Sequence, residues 1–177
     1  RRPPLGGCGY VASRLIRRWG RSMEQAGDNW RVARELVAAG LRPPQVQALT
    51  GVTAGRLRDL YKAANGVSAT PGQKPVCAPA LIKNQKQAVE AAMFLTSYDC
   101  TMERRGRDGC REVDPRALLE AYRAYRVASV SPMPISAALC LVLNLANDGL
   151  ETRRCPKCGS RYLSVWNREA LSACALC

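Results

Sequence analysis

Apolar residues recur at helical spacing along most of this chain. Val32, Ala33, Leu36 and Val37 form an i, i+1, i+4, i+5 stripe. That stripe predicts a helix over 29–39, with Asp28 able to cap its start and Gly40 able to end it. Pro43-Pro44 suits the first turn of a second helix, which runs through Val46 and Leu49 to Gly51. Thr53 is placed to cap a third, with Val52 before it positioned to staple onto Leu57. The apolar face of the third helix is Leu57, Leu60, Tyr61 and Ala64, and Gly66 closes it.

Residues 67–80 are rich in proline and glycine, which predicts a linker. Leu81, Ala88, Val89, Ala92, Met93 and Leu95 then point to a helix over about 81–98, and the mixed-charge stretch 99–113 to a loop. Asp114-Pro115 pairs an N-cap with proline at the first helical position. The face of that helix is Leu118, Leu119, Tyr122 and Tyr125, and Ser131-Pro132-Met133-Pro134 breaks it. A last helix carries Ile135, Ala138, Leu139, Val142, Leu143 and Ala146 and stops near Gly149.

These elements define a mostly α chain in five parts. Residues 1–27 read as a basic N-terminal arm and 28–66 as a helix-turn-helix region. The linker 67–80 leads to a helical region, 81–150, whose apolar faces suit a partner, and 151–177 is a small four-cysteine segment. Residues 1–22 hold six arginines and no acid, and the chain does not begin with methionine. Such a stretch fits a disordered or non-native tail, an arm on phosphates, or a transit-like amphipathic segment.

The sharpest chemical signal is at the C-terminus. Cys155-Pro156-Lys157-Cys158 and Cys174-Ala175-Leu176-Cys177 are two C-x2-C knuckles fifteen residues apart. Each knuckle turns tightly and aims two thiolates at one point, and two knuckles supply the four soft ligands that a tetrahedral zinc ion takes. Four ligands leave no open position, so the site reads as structural, with one Zn²⁺ per chain. Gly159 follows the first knuckle, where positive φ is often required, and Tyr162, Leu163, Val165 and Trp166 are placed to form a hairpin between the knuckles. Cys8, Cys77, Cys100, Cys110 and Cys140 lie outside the cluster at irregular spacings and read as free thiols in a reducing cytoplasm. The chain has no histidine, which removes Ser-His-Asp and Cys-His catalysis and every His-containing zinc site. The reading is therefore not an enzyme, and no apolar run is long enough to cross a membrane.

Charge refines the picture. The net charge is +13, and it is sorted: +8 in residues 1–66, +1 in 67–152 and +4 in 153–177. Basic ends around a neutral centre point to two polyanion contacts flanking a packing or partner-binding core. In a helix-turn-helix, the third helix would present Thr53, Ala54 and Arg56 to base edges and Arg58 and Lys62 to phosphates. At the other end Arg153, Arg154, Lys157 and Arg161 are the candidate phosphate contacts. A basic zinc ribbon that binds RNA or the translation machinery is the alternative, and it would favour exposed aromatics on a strand platform.

The run Gly55-Arg56-Leu57-Arg58-Asp59-Leu60-Tyr61-Lys62, then Gly66 and a Pro-rich linker, resembles the flagellar transcriptional activator family FlhC. Ala121-Tyr122-Arg123-Ala124-Tyr125 and the closing C-x2-C-G…C-x2-C extend the resemblance in order over residues 28–177. The resemblance implies a mostly helical fold, a structural zinc held by Cys155, Cys158, Cys174 and Cys177, and assembly with the partner FlhD. It also implies binding to promoter double-stranded DNA of flagellar operons and recruitment of RNA polymerase. The chain departs from the family pattern at Ala138, Cys140 and Asn144, where Arg, Trp and Arg are usual.

Overall fold

The computed structural model describes residues 23–69, 82–106, 113–146, 152–163, 174 and 176–177. Residues 1–22, most of the linker, Leu81, Gly149, Val165, Trp166, Cys8, Cys77 and Cys110 lie outside them. Six helices and one two-stranded hairpin make up the described chain: α1 (Met23–Ala38), α2 (Pro43–Thr50), α3 (Ala54–Asn65), α4 (Gln85–Arg104), α5 (Pro115–Ala128), α6 (Ile135–Ala146), β1 (Thr152–Arg154) and β2 (Arg161–Leu163).

The first three helices pack on one another. The predicted stripe of α1 is the inner face, since Val32, Ala33, Leu36 and Val37 are all buried. The helix ends in a Schellman motif. Leu41 N–H donates to the Leu36 carbonyl at 3.0 Å and Gly40 N–H to Val37 at 2.9 Å, and Gly40 takes φ 99°, which only glycine adopts without strain. Leu41 is thereby folded back into the core with no exposure. Asn29 Nδ2 reaches across to the Thr50 carbonyl at 3.1 Å, tying the start of α1 to the end of α2. The turn 51–53 then leads into α3, whose Leu57 is fully buried while Leu60 and Tyr61 pack at the margin. Thr53 holds the extended N-cap conformation, but its side chain makes no capping hydrogen bond.

The second half is built on α4 and α5, which lie against each other and carry α6. Asn84 caps α4 through Oδ1, which accepts from Gln87 N–H at 2.9 Å. Asp114 caps α5 as expected, accepting from Arg116 N–H at 2.9 Å. The helix expected over 81–98 is shifted: it begins at Gln85, where Asn84 satisfies the first turn, and runs on to Arg104. The extension is driven by burial, because Tyr98, Thr101 and Met102 continue the inner face begun by Ala91, Phe94 and Leu95. The loop expected to start at residue 99 therefore starts after α4 ends. Phe94 and Tyr125 meet edge to face at 5.8 Å between ring centres.

Among the described residues, the ion pairs Arg116–Asp28 and Arg123–Glu35 join the halves. Arg116 reaches Asp28 at 2.5 Å and Arg123 reaches Glu35 at 3.0 Å, both from α5 to α1 or its first turns. Among the described residues, no helix is long and apolar enough to cross a membrane.

Candidate metal centre and basic surfaces

β1 and β2 pair antiparallel, with Arg153 opposite Tyr162. The first knuckle, Cys155 to Cys158, is the turn between them. This revises the expected arrangement, in which a hairpin followed the first knuckle. Tyr162 and Leu163 do form a strand, but it pairs with the residues before the knuckle. The reason lies in the backbone of the knuckle itself. Gly159 N–H bonds the Cys155 carbonyl at 2.8 Å, and Cys155 N–H bonds the Ser160 carbonyl at 2.9 Å, so the knuckle closes on itself and sends the chain back antiparallel. Gly159 has φ 72°, the left-handed conformation its position called for.

Cys174 and Cys177 return to this turn. The sulfurs of Cys155 and Cys177 are 3.6 Å apart, those of Cys158 and Cys174 are 3.7 Å apart, and all four lie within 4.8 Å of one another. A tetrahedron with Zn–S bonds of about 2.3 Å has edges of about 3.8 Å. A disulfide would bring two sulfurs to about 2.05 Å. The donor set and its spacing fit a tetrahedral metal ion and do not fit two disulfides. Backbone N–H groups of Cys158 and Lys157 pull the Cys155 thiol below its usual range. The Ser160 hydroxyl, aided by its N–H, brings Cys158 down to about 6. Cys177 moves the other way, to about 12, because it faces the sulfurs of Cys158 and Cys155. The knuckle thus favours thiolates at its own end, and negative charge there disfavours a further one. A divalent cation held by Cys155, Cys158, Cys174 and Cys177 would favour the thiolate form of all four.

The hairpin is moored to α4. Arg161 Nε is 2.7 Å from Asp99 Oδ2, a pair largely withdrawn from solvent, and Arg154 is 3.1 Å from Glu103 one turn further on. Leu163 is buried beside them. Two of the four basic residues expected to contact phosphate at this end therefore hold the hairpin in place. A helix expected to end at residue 98 leaves Asp99 and Glu103 in the loop, so the sequence pattern does not mark them. Their i, i+4 spacing on one helical face is the signal that could have found them.

The other basic candidates lie on α3. Thr53, Arg56, Arg58 and Lys62 are all exposed. The Arg56 guanidinium lies 4.3 Å over the ring of Trp30 of α1, and Arg58 Nε donates back to the Ala54 carbonyl at 3.3 Å. Arg56, though exposed, thus makes a cation–π contact with the Trp30 ring. Nothing in the sequence pattern marked Trp30 as its support. The structure brings the four cysteines to one point. The two basic groups stay on separate elements, α3 against α1 and α2, and the hairpin against α4.

A helical chain closed by a four-cysteine knuckle that could hold a metal ion, with basic residues on α3 and on the hairpin, is the class of protein these features define. The flagellar transcriptional activator (FlhC) family matches residues 19–177, and the chain belongs to that family. It is 27% identical over 167 residues to the flagellar transcriptional regulator FlhC of Cupriavidus pinatubonensis, covering 89% of this chain and 75% of that one. Against the FlhC regulator of Cupriavidus necator the identity is 29% over 149 residues, covering 81% and 70%. Against that of Proteus mirabilis it is 25% over 164 residues, covering 89% and 82%. The family is one of transcriptional regulators of flagellar genes.

Proposed function

We propose that the chain is a DNA-binding subunit of a bacterial activator of flagellar operons, acting in a hetero-oligomer with an FlhD-type subunit and recruiting RNA polymerase from promoter DNA. The observation that carries this reading is the family match over residues 19–177. The charge of the hairpin supports it, since residues 152–163 carry four basic residues and no acid; the three-helix unit itself is only +2, because +6 of the +8 in residues 1–66 lies in residues 1–22. The metal would be zinc, bound by Cys155, Cys158, Cys174 and Cys177, with a purely structural role because the four thiolates close its coordination. Its effect would be to hold residues 174–177 against the hairpin and so complete the C-terminal fold.

The helices α2 and α3 with their tight turn would act as a helix-turn-helix, α3 entering the major groove. Arg56 would read a guanine edge from its stacked position on Trp30, and Thr53 would sit at the helix start nearby. Arg58 and Lys62 would contact phosphates. At the hairpin, Lys157 and Arg153 would carry most of the phosphate contact, with Arg154 and Arg161 committed first to Glu103 and Asp99. The RNA-binding alternative loses support from the placement of the rings. Phe94, Tyr98, Tyr122 and Tyr125 are all core residues, and Tyr162 on β2 is the single strand aromatic among the described residues, too few for a stacking platform.

The test is a salt titration of the partner-bound complex on promoter and scrambled duplexes. Arg56→Ala should weaken promoter binding by about 1–3 kcal/mol and random DNA far less. Lys62→Ala should weaken both alike and lower the salt slope by about one unit. Unchanged promoter binding in both variants would reduce α3 to a packing element.

A further inference from the structure

A groove of about 390 Å³ opens between the start of α4 and the start of α6, roofed by the 129–134 connection. Its floor is apolar, made by Ile82, Ala91, Ala137 and Leu141, and one carboxylate, Glu90, stands in its wall. The carboxylate is used unevenly. Glu90 Oε2 accepts from the Tyr125 hydroxyl and from Ser129 Oγ, the latter at 2.6 Å. Glu90 Oε1 accepts no hydrogen bond from the described residues, and none of the ion pairs among them includes Glu90. Lys86, one turn earlier on the same helix, lines the mouth without pairing to it.

The walls are fixed in advance. Met133 N–H donates to the Tyr125 hydroxyl at 2.8 Å, and the Tyr122 hydroxyl donates to the Met133 carbonyl at 2.9 Å. Ser131 N–H donates to Ser129 Oγ at 3.2 Å. These bonds hold the connection over the groove whether or not anything occupies it. Val130, in the roof, and Val127, in the last turn of α5, are 102% and 91% exposed. A half-buried carboxylate whose Oε1 takes no donor from the described residues, set in a preformed trough with an apolar floor, is complementary to a cation carried on an aliphatic stem. It repels phosphate, so duplex DNA is not its occupant.

We infer that this groove seats an arginine or lysine side chain of the partner subunit, its stem on the apolar floor and its charged head on Glu90 Oε1. The inference rests on the hetero-oligomer reading proposed above, and it names the seat and the chemistry that reading lacks. The experiment measures affinity between the full, metal-loaded chain and an FlhD-type subunit by calorimetry at two salt concentrations. Glu90→Gln keeps an acceptor for Tyr125 and Ser129 and removes the charge. It should weaken association tenfold or more and flatten its salt dependence. Ala137→Met narrows the floor without touching the carboxylate and should weaken association to a similar extent. If Glu90→Gln does not fold, as judged by helical circular dichroism and metal content, Ala137→Met decides alone. Association of both folded variants within twofold of wild type would overturn the groove assignment and leave the assembly reading standing. A wild-type chain that does not associate at all overturns both.

Discussion

Removing one oxygen atom tests the polar network beneath the α5–α6 connection. In Tyr125→Phe the fully buried ring keeps its place beside Phe94, while its hydroxyl is lost. That hydroxyl donates to Glu90 and accepts from Met133 N–H at 2.8 Å. A hydrogen bond to a charged acceptor contributes about 1.5–3 kcal/mol, and a buried donor left without a partner costs about 1–3 kcal/mol. Ser129 continues to serve Glu90, so the two effects combine to about 2–4 kcal/mol rather than their full sum. For a chain of this size, the melting midpoint should fall by roughly 5–12 °C at neutral pH. The gap should depend on pH in one direction. Burial first, and then the bond to Glu90, raises the Tyr125 phenol from 10 to about 12. Its proton is held more tightly in the folded chain than in the unfolded one. The stabilisation is therefore complete below pH 10 and is lost as pH climbs through 12, a change of about 3 kcal/mol. Melts of metal-loaded wild type and Tyr125→Phe at pH 8, 10.5 and 11.5 check this, since other groups titrate alike in both. Equal midpoints at pH 8, or a gap that stays constant to pH 11.5, would refute the reasoning.

Two further outcomes follow from the metal centre. The purified chain should hold about one zinc, and Cys174→Ser should lose it, whereas Cys100→Ser, an exposed cysteine outside the cluster, should leave metal content unchanged; elemental analysis separates these results. Arg161→Met and Asp99→Asn should each loosen the hairpin, and a double-mutant cycle should return a coupling of about 1–2 kcal/mol, since the partners share one pair. Independent, additive effects would show that the hairpin is held by its apolar contacts alone.

The helices and the cysteine set were legible because each is written locally. A stripe such as Val32, Ala33, Leu36 and Val37 needs only the helical period, and a C-x2-C knuckle needs only its own turn. What was not legible depends on distance in the fold. The reach of α4 to Arg104 follows from the burial of Thr101 and Met102, residues that look like loop next to Glu103 and Arg104. The hairpin partner of Tyr162 was invisible because Thr152–Arg154 carries no strand pattern, and pairing is imposed by the closed knuckle between them. Arg161 read as a free cation because Asp99 lies 62 positions earlier, and only the packing of β2 on α4 brings them together. Trp30 under Arg56 and Glu90 under Tyr125 escaped for the same reason.

α4 has a consequence of a mechanical kind. The groove that holds Glu90 opens at its first turns, and the hairpin is moored at Asp99 and Glu103 in its last. From Lys86 to Glu103 an unbroken α-helix sets these two attachments about 25 Å apart. The helix works as a strut: force or displacement applied at one end arrives at the other without being absorbed by a hinge. A subunit seated at the groove would therefore fix where the thiolate knuckle, with Arg153 and Lys157 beside it, stands relative to that subunit. Changing the length of α4 by one residue between these points would swing the knuckle by about 100° around the helix axis, and inserting a full turn would move it along the axis by about 5.4 Å.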